Sequence, residues 1–343
     1  MVGGRLCTDL IDVTSDLEAL DGEGFWAVAL PYDGTPVCAR FRSVQPARPW
    51  TGPSWHGPAT TEWRSSLDRD QFSAAVSSIR ESIAAGDVYQ VNLTRRLRAP
   101  IGDGPNQRIE ALGAELAEGN PAPYSAVVSL PDHGVAVASA SPERFVSRHG
   151  QLVRSSPIKG TAAGPGDFLP KDRAENVMIV DLVRNDLGRV CEWGSVTVPS
   201  LFAVEPHPGL FHLVSTVEGR LRPGVGWAVI IGATFPPGSV TGAPKLSACD
   251  IIRRLEPEPR GWYCGAIGWV DADRRQGDLN VAIRTFWIED GGLHFGTGGA
   301  ITWDSTADGE WIETELKADR LLRVASGRLS SAGAVPVAGP TDG

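Results

Sequence analysis

The sequence has no CxxC pair, and its five cysteines, Cys7, Cys38, Cys191, Cys249 and Cys264, are widely scattered and odd in number. That argues against a disulfide framework and suits the reduced thiols of a cytoplasmic protein. Blocks of Lys and Arg are also missing, and the net charge is -9, so general nucleic-acid affinity is not expected. No apolar run approaches the ~20 residues of a membrane span. No basic segment leads into an apolar stretch at the N-terminus, so no secretory signal is expected. No internal repeat is visible. These absences describe a cytoplasmic protein with neither a nucleic-acid nor a membrane partner. An anionic substrate stays admissible if cations are placed in a pocket.

The 343 residues are 42% apolar and 21% charged, ordinary for a globular chain and enough for one large domain or two smaller ones. Residues 1–45 alternate short apolar runs with turns. Gly22-Glu23-Gly24-Phe25-Trp26-Ala27 mimics a dinucleotide fingerprint, but a strand-like run follows it and not a helix. Residues 46–60, rich in Pro, Gly and Trp, read as a linker or surface loop. The spacing Phe72, Ala75, Val76, Ile79, Ile83 predicts a helix from Asp68 to a stop at Gly86. Further helices are expected near 106–118, 170–187, 243–255 (with Pro244 in the first turn) and 310–324. Strands are expected at 88–97, 124–130, 135–140, 144–147, 151–154, 195–204, 211–221, 265–270, 279–288 and 293–296. Hairpins should join the four between 124 and 154. Helices and antiparallel strands come mixed without a βα rhythm, which makes the class α+β. The tail from Ser326, rich in Ser, Ala, Gly and Pro, is expected to be disordered.

Several pieces could carry chemistry. Pro157-Ile158-Lys159-Gly160-Thr161 reads as a turn in which Lys159 is either solvated, an anion clamp, or a nucleophile if burial lowers its pKa. Asp172 with Glu175, and Glu310 with Glu313, lie three apart near helix starts. Macrodipole complementarity explains either pair alone; brought together they would form an oxygen-rich site suited to Mg²⁺. Alternation through 279–288 places Arg284 on a central strand, where it needs an anionic partner from the protein or a ligand. Tyr263 reads as a core residue able to lend a phenolic hydrogen bond. His212 reads as structural, and with His207 makes at most a weak metal pair. Gly296-Thr297-Gly298-Gly299-Ala300 reads as a bend, either a plain turn or an anion cradle.

In this order, from about Phe72 to Arg320, the pieces resemble the chorismate-utilising enzymes. The matching blocks are Gly86–Leu93, Ser141-Pro142-Glu143-Arg144-Phe145, Pro157–Thr161, Ala174–Leu187 and Thr241-Gly242-Ala243-Pro244-Lys245. The resemblance implies a single large domain with two packed antiparallel β-sheets flanked by helices. Residues 1–65 would belong to that domain, 66–325 would bind chorismate, and 326–343 would be the tail. It further implies Mg²⁺ held by Glu175 and Glu310, with Asp172 and Glu313 ligating directly or through water. Gly160, Thr161, Ser239, Tyr263, Arg284, Lys245 and the amides of Gly298, Gly299 and Ala300 would contact substrate, and His212 would lie near the ring. Lys159 and Gln90 together match the aminodeoxychorismate synthase branch, since water-adding members carry a Lys where Gln90 stands. That branch implies Glu143 as general acid, Lys159 as covalent nucleophile, and amination of chorismate at C4. With no glutaminase-sized segment in the chain, ammonia is expected from a separate glutamine amidotransferase subunit. The alternatives are anthranilate synthase component I and an inactive chorismate-fold binding subunit.

Overall fold

The computed structural model describes residues 1–162, 164–207 and 210–327. In chain order the elements are β1 (Arg5–Thr14), β2 (Phe25–Leu30), β3 (Val37–Pro46), β4 (Arg64–Ser65), α1 (Arg69–Ala85), β5 (Gln90–Pro100) and α2 (Ile109–Gly119). Next come β6 (Tyr124–Leu130), β7 (Val135–Ser141), β8 (Arg144–His149), β9 (Leu152–Ser156), β10 (Ile158–Ala162) and α3 (Pro170–Gly188). They are followed by β11 (Thr197–His207), β12 (Leu210–Arg220), α4 (Trp227–Thr234), β13 (Gly242–Ala243) and α5 (Lys245–Leu255). The last are β14 (Ala266–Asp271), β15 (Gln276–Val281), β16 (Thr285–Glu289), β17 (Gly292–Ile301) and α6 (Ala307–Ala325).

The strands form two sheets, a ten-stranded one ordered β1-β3-β2-β14-β15-β8-β9-β12-β10 with β11 also on β12, and a seven-stranded one ordered β13-β5-β17-β16-β7-β6 with β4 on β5. Every pairing within the two sheets is antiparallel. Val28, Val146, Ile267 and Leu279 of the first sheet share a core with Val128, Val137 and Trp287 of the second. Alternation turns Ala138, Phe286 and Phe295 to the outer face of the second sheet, against Leu112 of α2 and Leu321 of α6. Helix α1 forms as its sequence predicts: Asp68 and Gln71 make a reciprocal capping box, and Gly86 closes the helix at φ +85°.

Several expectations are corrected. The run 279–288 is not one strand: β15 ends at Val281 in the first sheet, and β16 begins at Thr285 in the second. Arg284 therefore sits on a crossover, at φ +52°, and not on a central strand. Hairpins do join β6 to β7 and β8 to β9, but β7 and β8 belong to different sheets, the chain crossing at 142–143. The expected turn at 157–161 is largely strand β10, and the expected bend at 296–300 lies inside β17, paired with β5 throughout. Helix α4 was not anticipated; it is apolar nearly all round, so it lacks the periodic signal. Pro244 stands just before α5 as its N-cap residue. The tail beyond Gly327 lies outside the described residues.

The two sheet crossings run side by side. Ser141 Oγ donates to Val281 O (2.6 Å), Val281 N to Glu143 O (3.0 Å), and Ala140 N to Arg284 O (3.0 Å). A buried ion pair fixes the neighbouring loop. Arg260 donates to both oxygens of Glu256 (2.8 and 2.7 Å) and to the carbonyls of Val240 and Asn92, while Thr94 N donates to Glu256. Both side chains are nearly solvent-free, so removing one leaves an uncompensated charge. Glu256→Ala should lose about 3–5 kcal/mol, read as a fall in the urea midpoint without a change in slope.

Candidate active site

Lys159 is aimed by an irregularity in its strand. The pairing of β10 with β12 slips between Ile158 and Thr161, and Gly160 takes φ +94° there. A Cβ at Gly160 would stand 2.9 Å from Cβ of Asp172, so only glycine lets the strand approach α3 this closely. Buried Asn176 of α3 pins the same segment, its amide donating to Leu213 O (3.0 Å) and Lys159 O (3.4 Å) while Ser215 Oγ donates to its oxygen (2.6 Å). Asn176 falls within the Ala174–Leu187 block, but a helical Asn carries no signal of its own in the sequence to show this role.

Burial lowers the pKa of Lys159 below the usual lysine value, opposed by the charges of Glu175, Glu143 and Glu313 and reinforced by Lys317. Glu143, on the first crossover and 3% exposed, is pushed by burial up to about 7, although a hydrogen bond from Ser239 and the charge of Lys159 favour its ionised form. Burial also raises Glu175, opposed by Lys159 and reinforced by Glu313. Glu310 is raised by burial too, despite accepting from Ser305 Oγ (2.6 Å). Glu313 is held low by Lys317, whose Nζ lies 2.6 Å away and also donates to Gly298 O (3.0 Å).

Glu175 of α3 thus lies within electrostatic reach of Glu310 and Glu313 of α6. Their roles differ. Asp172 accepts from the backbone N–H of Leu169 (2.7 Å) and caps α3, as the macrodipole reading allows. Glu310 Oε2 is buried without a hydrogen-bond partner, and a Cβ at Gly299 would come within 2.9 Å of it. Among the described residues no three His, Cys, Asp or Glu side chains already stand at metal-ligand spacing. An orphaned carboxylate oxygen facing further carboxylates is nevertheless a donor set that a hard cation such as Mg²⁺ satisfies.

Arg284 does not meet the carboxylate that its burial called for. Its guanidinium contacts the rings of His207 and His212, the latter at 3.0 Å, and His212 Nδ1 lies 3.2 Å from Thr161 Oγ1. Burial and the arginine charge lower both imidazoles to about 3, so they are neutral and serve as acceptors, which corrects the idea of a metal pair. The line Thr161–His212–Arg284 joins the lysine strand to the second crossover. Beside it, β17 pairs with β16 only as far as Phe295, so alternate amides from Gly296 to Ile301 have no strand partner on that edge. Gly298 to Ala300 lie on this stretch, their amides alternating between the open edge and β5.

Two further candidates are already held by their neighbours. Lys245 donates to Asp186 (2.6 Å) and to Thr234 O (2.8 Å), bridging α5 to α3 and α4. Tyr263 is buried with its ring over Gly296, and the groups acting on its hydroxyl are Cys264, Arg260 and Glu256. It keeps its default place as a core tyrosine.

A model of a chorismate binding enzyme matches residues 46–323. The chain belongs to the family of chorismate binding enzymes. Among curated relatives, aminodeoxychorismate synthase component 1 of Klebsiella aerogenes is 42% identical over 275 residues, covering 77% of this chain and 59% of that protein. Anthranilate synthase component 1 of Streptomyces coelicolor is likewise 42% identical, over 282 residues, 79% of this chain and 54% of that one. The chain therefore spans between half and three-fifths of the length of such relatives. The crystal structure of anthranilate synthase component I from Streptococcus pneumoniae superposes with TM-score 0.80 at 24% identity, covering 93% and 92% of the two chains, and shows the shared fold. No described helix is long and apolar enough to cross a membrane.

Holding Glu143 in a site that raises its pKa has a sign that stability can read. A carboxyl raised in the folded state is stabilising while protonated and loses that contribution as pH climbs from about 4.5 through 7. Glu143→Gln should therefore raise stability at pH 8, by at most on the order of 3 kcal/mol, and have little effect at pH 4. Thermal denaturation at the two pH values checks this.

Proposed function

We propose that the chain is the chorismate-aminating component of an aminodeoxychorismate synthase, converting chorismate and ammonia to 4-amino-4-deoxychorismate. The observation that carries this reading is Lys159, bulged out of its strand beside Glu143 with its pKa lowered. A lysine with lowered pKa is available as the neutral amine, and a carboxyl near 7 is available as the acid.

In this mechanism Glu143 protonates the departing C4 hydroxyl, which leaves as water, while the Lys159 amine attacks C2 and the ring double bond shifts. Glu143, now a carboxylate, takes up the proton lost by the lysine nitrogen. Ammonia then attacks C4, the double bond shifts back, and Lys159 leaves with the proton returned by Glu143. Arg284, paired with no carboxylate among the described residues, holds the enolpyruvyl carboxylate together with the unpaired edge of β17. Gly160 and Thr161 approach the ring carboxylate. Glu175 and Glu310, with Glu313 and Asp172 near them, would hold Mg²⁺, which when bound supplies positive charge for that carboxylate. Ammonia would come from a glutamine amidotransferase partner.

Equal identity to an anthranilate synthase keeps one second reading: amination at C2 with loss of pyruvate. Incubation with chorismate, Mg²⁺ and an ammonium salt should give 4-amino-4-deoxychorismate by mass spectrometry; anthranilate fluorescence without added lyase would overturn the assignment. Lys159→Ala should lower kcat at least about a hundredfold, and unchanged turnover would refute the covalent step. The chorismate kcat/KM should fall on the alkaline side of about pH 7 as Glu143 ionises, and that limb should vanish in Glu143→Gln.

A further inference from the structure

The two oxygens of Glu310 are treated unequally by the turn that precedes α6. Strand β17 ends at Ile301, and Thr302 to Ser305 lead into the helix. Ser305 N donates to Thr302 O (3.2 Å), and Ser305 Oγ accepts from Thr302 N (3.0 Å). The same Oγ donates to Glu310 Oε1 (2.6 Å). A serine hydroxyl has one proton, and with the Thr302 amide already aimed at the oxygen, that proton is directed to the carboxylate. Ser305 is 7% exposed, so little water competes for it. The helix does not need this hydroxyl as a cap, because Thr306 caps it by accepting from Gly309 N (3.2 Å). Glu310 Oε2, in contrast, is buried without a partner.

Two of the other acids are held in the same one-sided way. Asp172 accepts the Leu169 amide on one oxygen, and Glu313 meets Lys317 through one of its own. A carboxylate with one oxygen tied offers a cation a single donor. That suits Mg²⁺, which takes single oxygens in a tight octahedron, and disfavours Ca²⁺, which gathers six to eight oxygens and often clasps both of a carboxylate. We propose that Ser305 is a positioning residue that sets the cation preference of the site: by holding Glu310 Oε1 it leaves Oε2 as a single donor and denies a larger ion the two-oxygen grip. The inference rests on the reading of Glu175 and Glu310 as cation ligands and adds the residue that discriminates between cations.

The free Mn²⁺ EPR signal of the full chain, without chorismate and with Mg²⁺ or Ca²⁺ as competitor, gives both dissociation constants. Ser305→Ala frees Oε1 and loses the fixed rotamer. It should weaken Mg²⁺ about tenfold while Ca²⁺ binds as before or more tightly. Ser305→Cys, which keeps the volume but donates weakly, should shift the preference in the same direction and serves if the alanine variant folds poorly. Thermal denaturation establishes which variants are folded. An unchanged Mg²⁺ to Ca²⁺ ratio in a folded variant overturns the role of Ser305, whether neither cation is affected or both weaken alike, since a serine that merely supports the turn would disturb both equally. Failure of the unsubstituted protein to bind Mn²⁺ instead counts against the cation site itself and removes the inference with it.

Discussion

The structure depends on two short stretches in which the chain leaves one sheet and enters the other, at 142–143 and 282–284. They lie against each other, bonded through Ser141, Val281, Glu143 and the backbone of Arg284. Two sheets packed face to face can share a core but not a hydrogen-bond ladder, so wherever the chain changes sheet its polar groups must be satisfied otherwise. Here the solution places an acid and a base of opposite character at one seam. Glu143 is on one crossover and Arg284 on the other. Strand β17 continues past the point where its neighbour has crossed away, which leaves its far edge without a strand partner. The acid, the guanidinium and the unpaired strand edge are thus three results of a single topological event.

Around that seam the electrostatics are arranged so that few charges have their ordinary compensation. Glu143 is buried with hydrogen bonds from Ser239 and the Ile158 backbone that do not offset its desolvation, burial lowers the pKa of Lys159, and Glu310 keeps an oxygen with no partner. Elsewhere the chain satisfies buried charge fully, as at Arg260 and Glu256. That contrast within one molecule is the physical signature of a site: groups left short of partners in the folded state have interactions to offer a ligand. Helices α3 and α6 bring the acidic pairs in from opposite sides, while Asn176 and the glycine at 160 set the depth at which Lys159 stands.

Much of this was legible in the residues, and the parts that were not share one cause. Helix α1 announced itself through its cap, its period and its closing glycine. The acidic pairs were visible as spacings, though not their meeting, because nothing local states that α3 and α6 converge. The run from Leu279 to Ile288 read as one strand because the apolar alternation carries through the crossover: Ala282 and Ile283 are apolar while the backbone turns under them. For the same reason Arg284 reads as a central-strand residue in need of an anionic partner from the protein or a ligand, whereas on the crossover it faces two imidazoles. Glycine-rich segments misled in the opposite direction. Gly296 to Ala300 lacks the side chains that mark a strand, yet a strand with small side chains is what a tightly approached surface needs. Lys245 belongs to a block shared with the family and so read as a substrate contact, whereas its side chain is spent on Asp186 and Thr234.

The pair of histidines around Arg284 has a consequence for how a ligand is selected. Imidazoles with pKa values of about 3 stay neutral across the working range, so they hold the guanidinium in place as dipoles and leave its charge unspent. The work of stripping water from that cation and freezing its rotamers is done when the chain folds, not when the ligand arrives. An incoming carboxylate then meets a rigid, already dehydrated fork, and the entropy of ordering it has been settled beforehand. A carboxylate from the protein in the same place would have made a more stable molecule and a closed one. Two weakly basic rings keep the fork rigid and still vacant for an anion, within a protein whose overall charge of -9 would otherwise turn anions away.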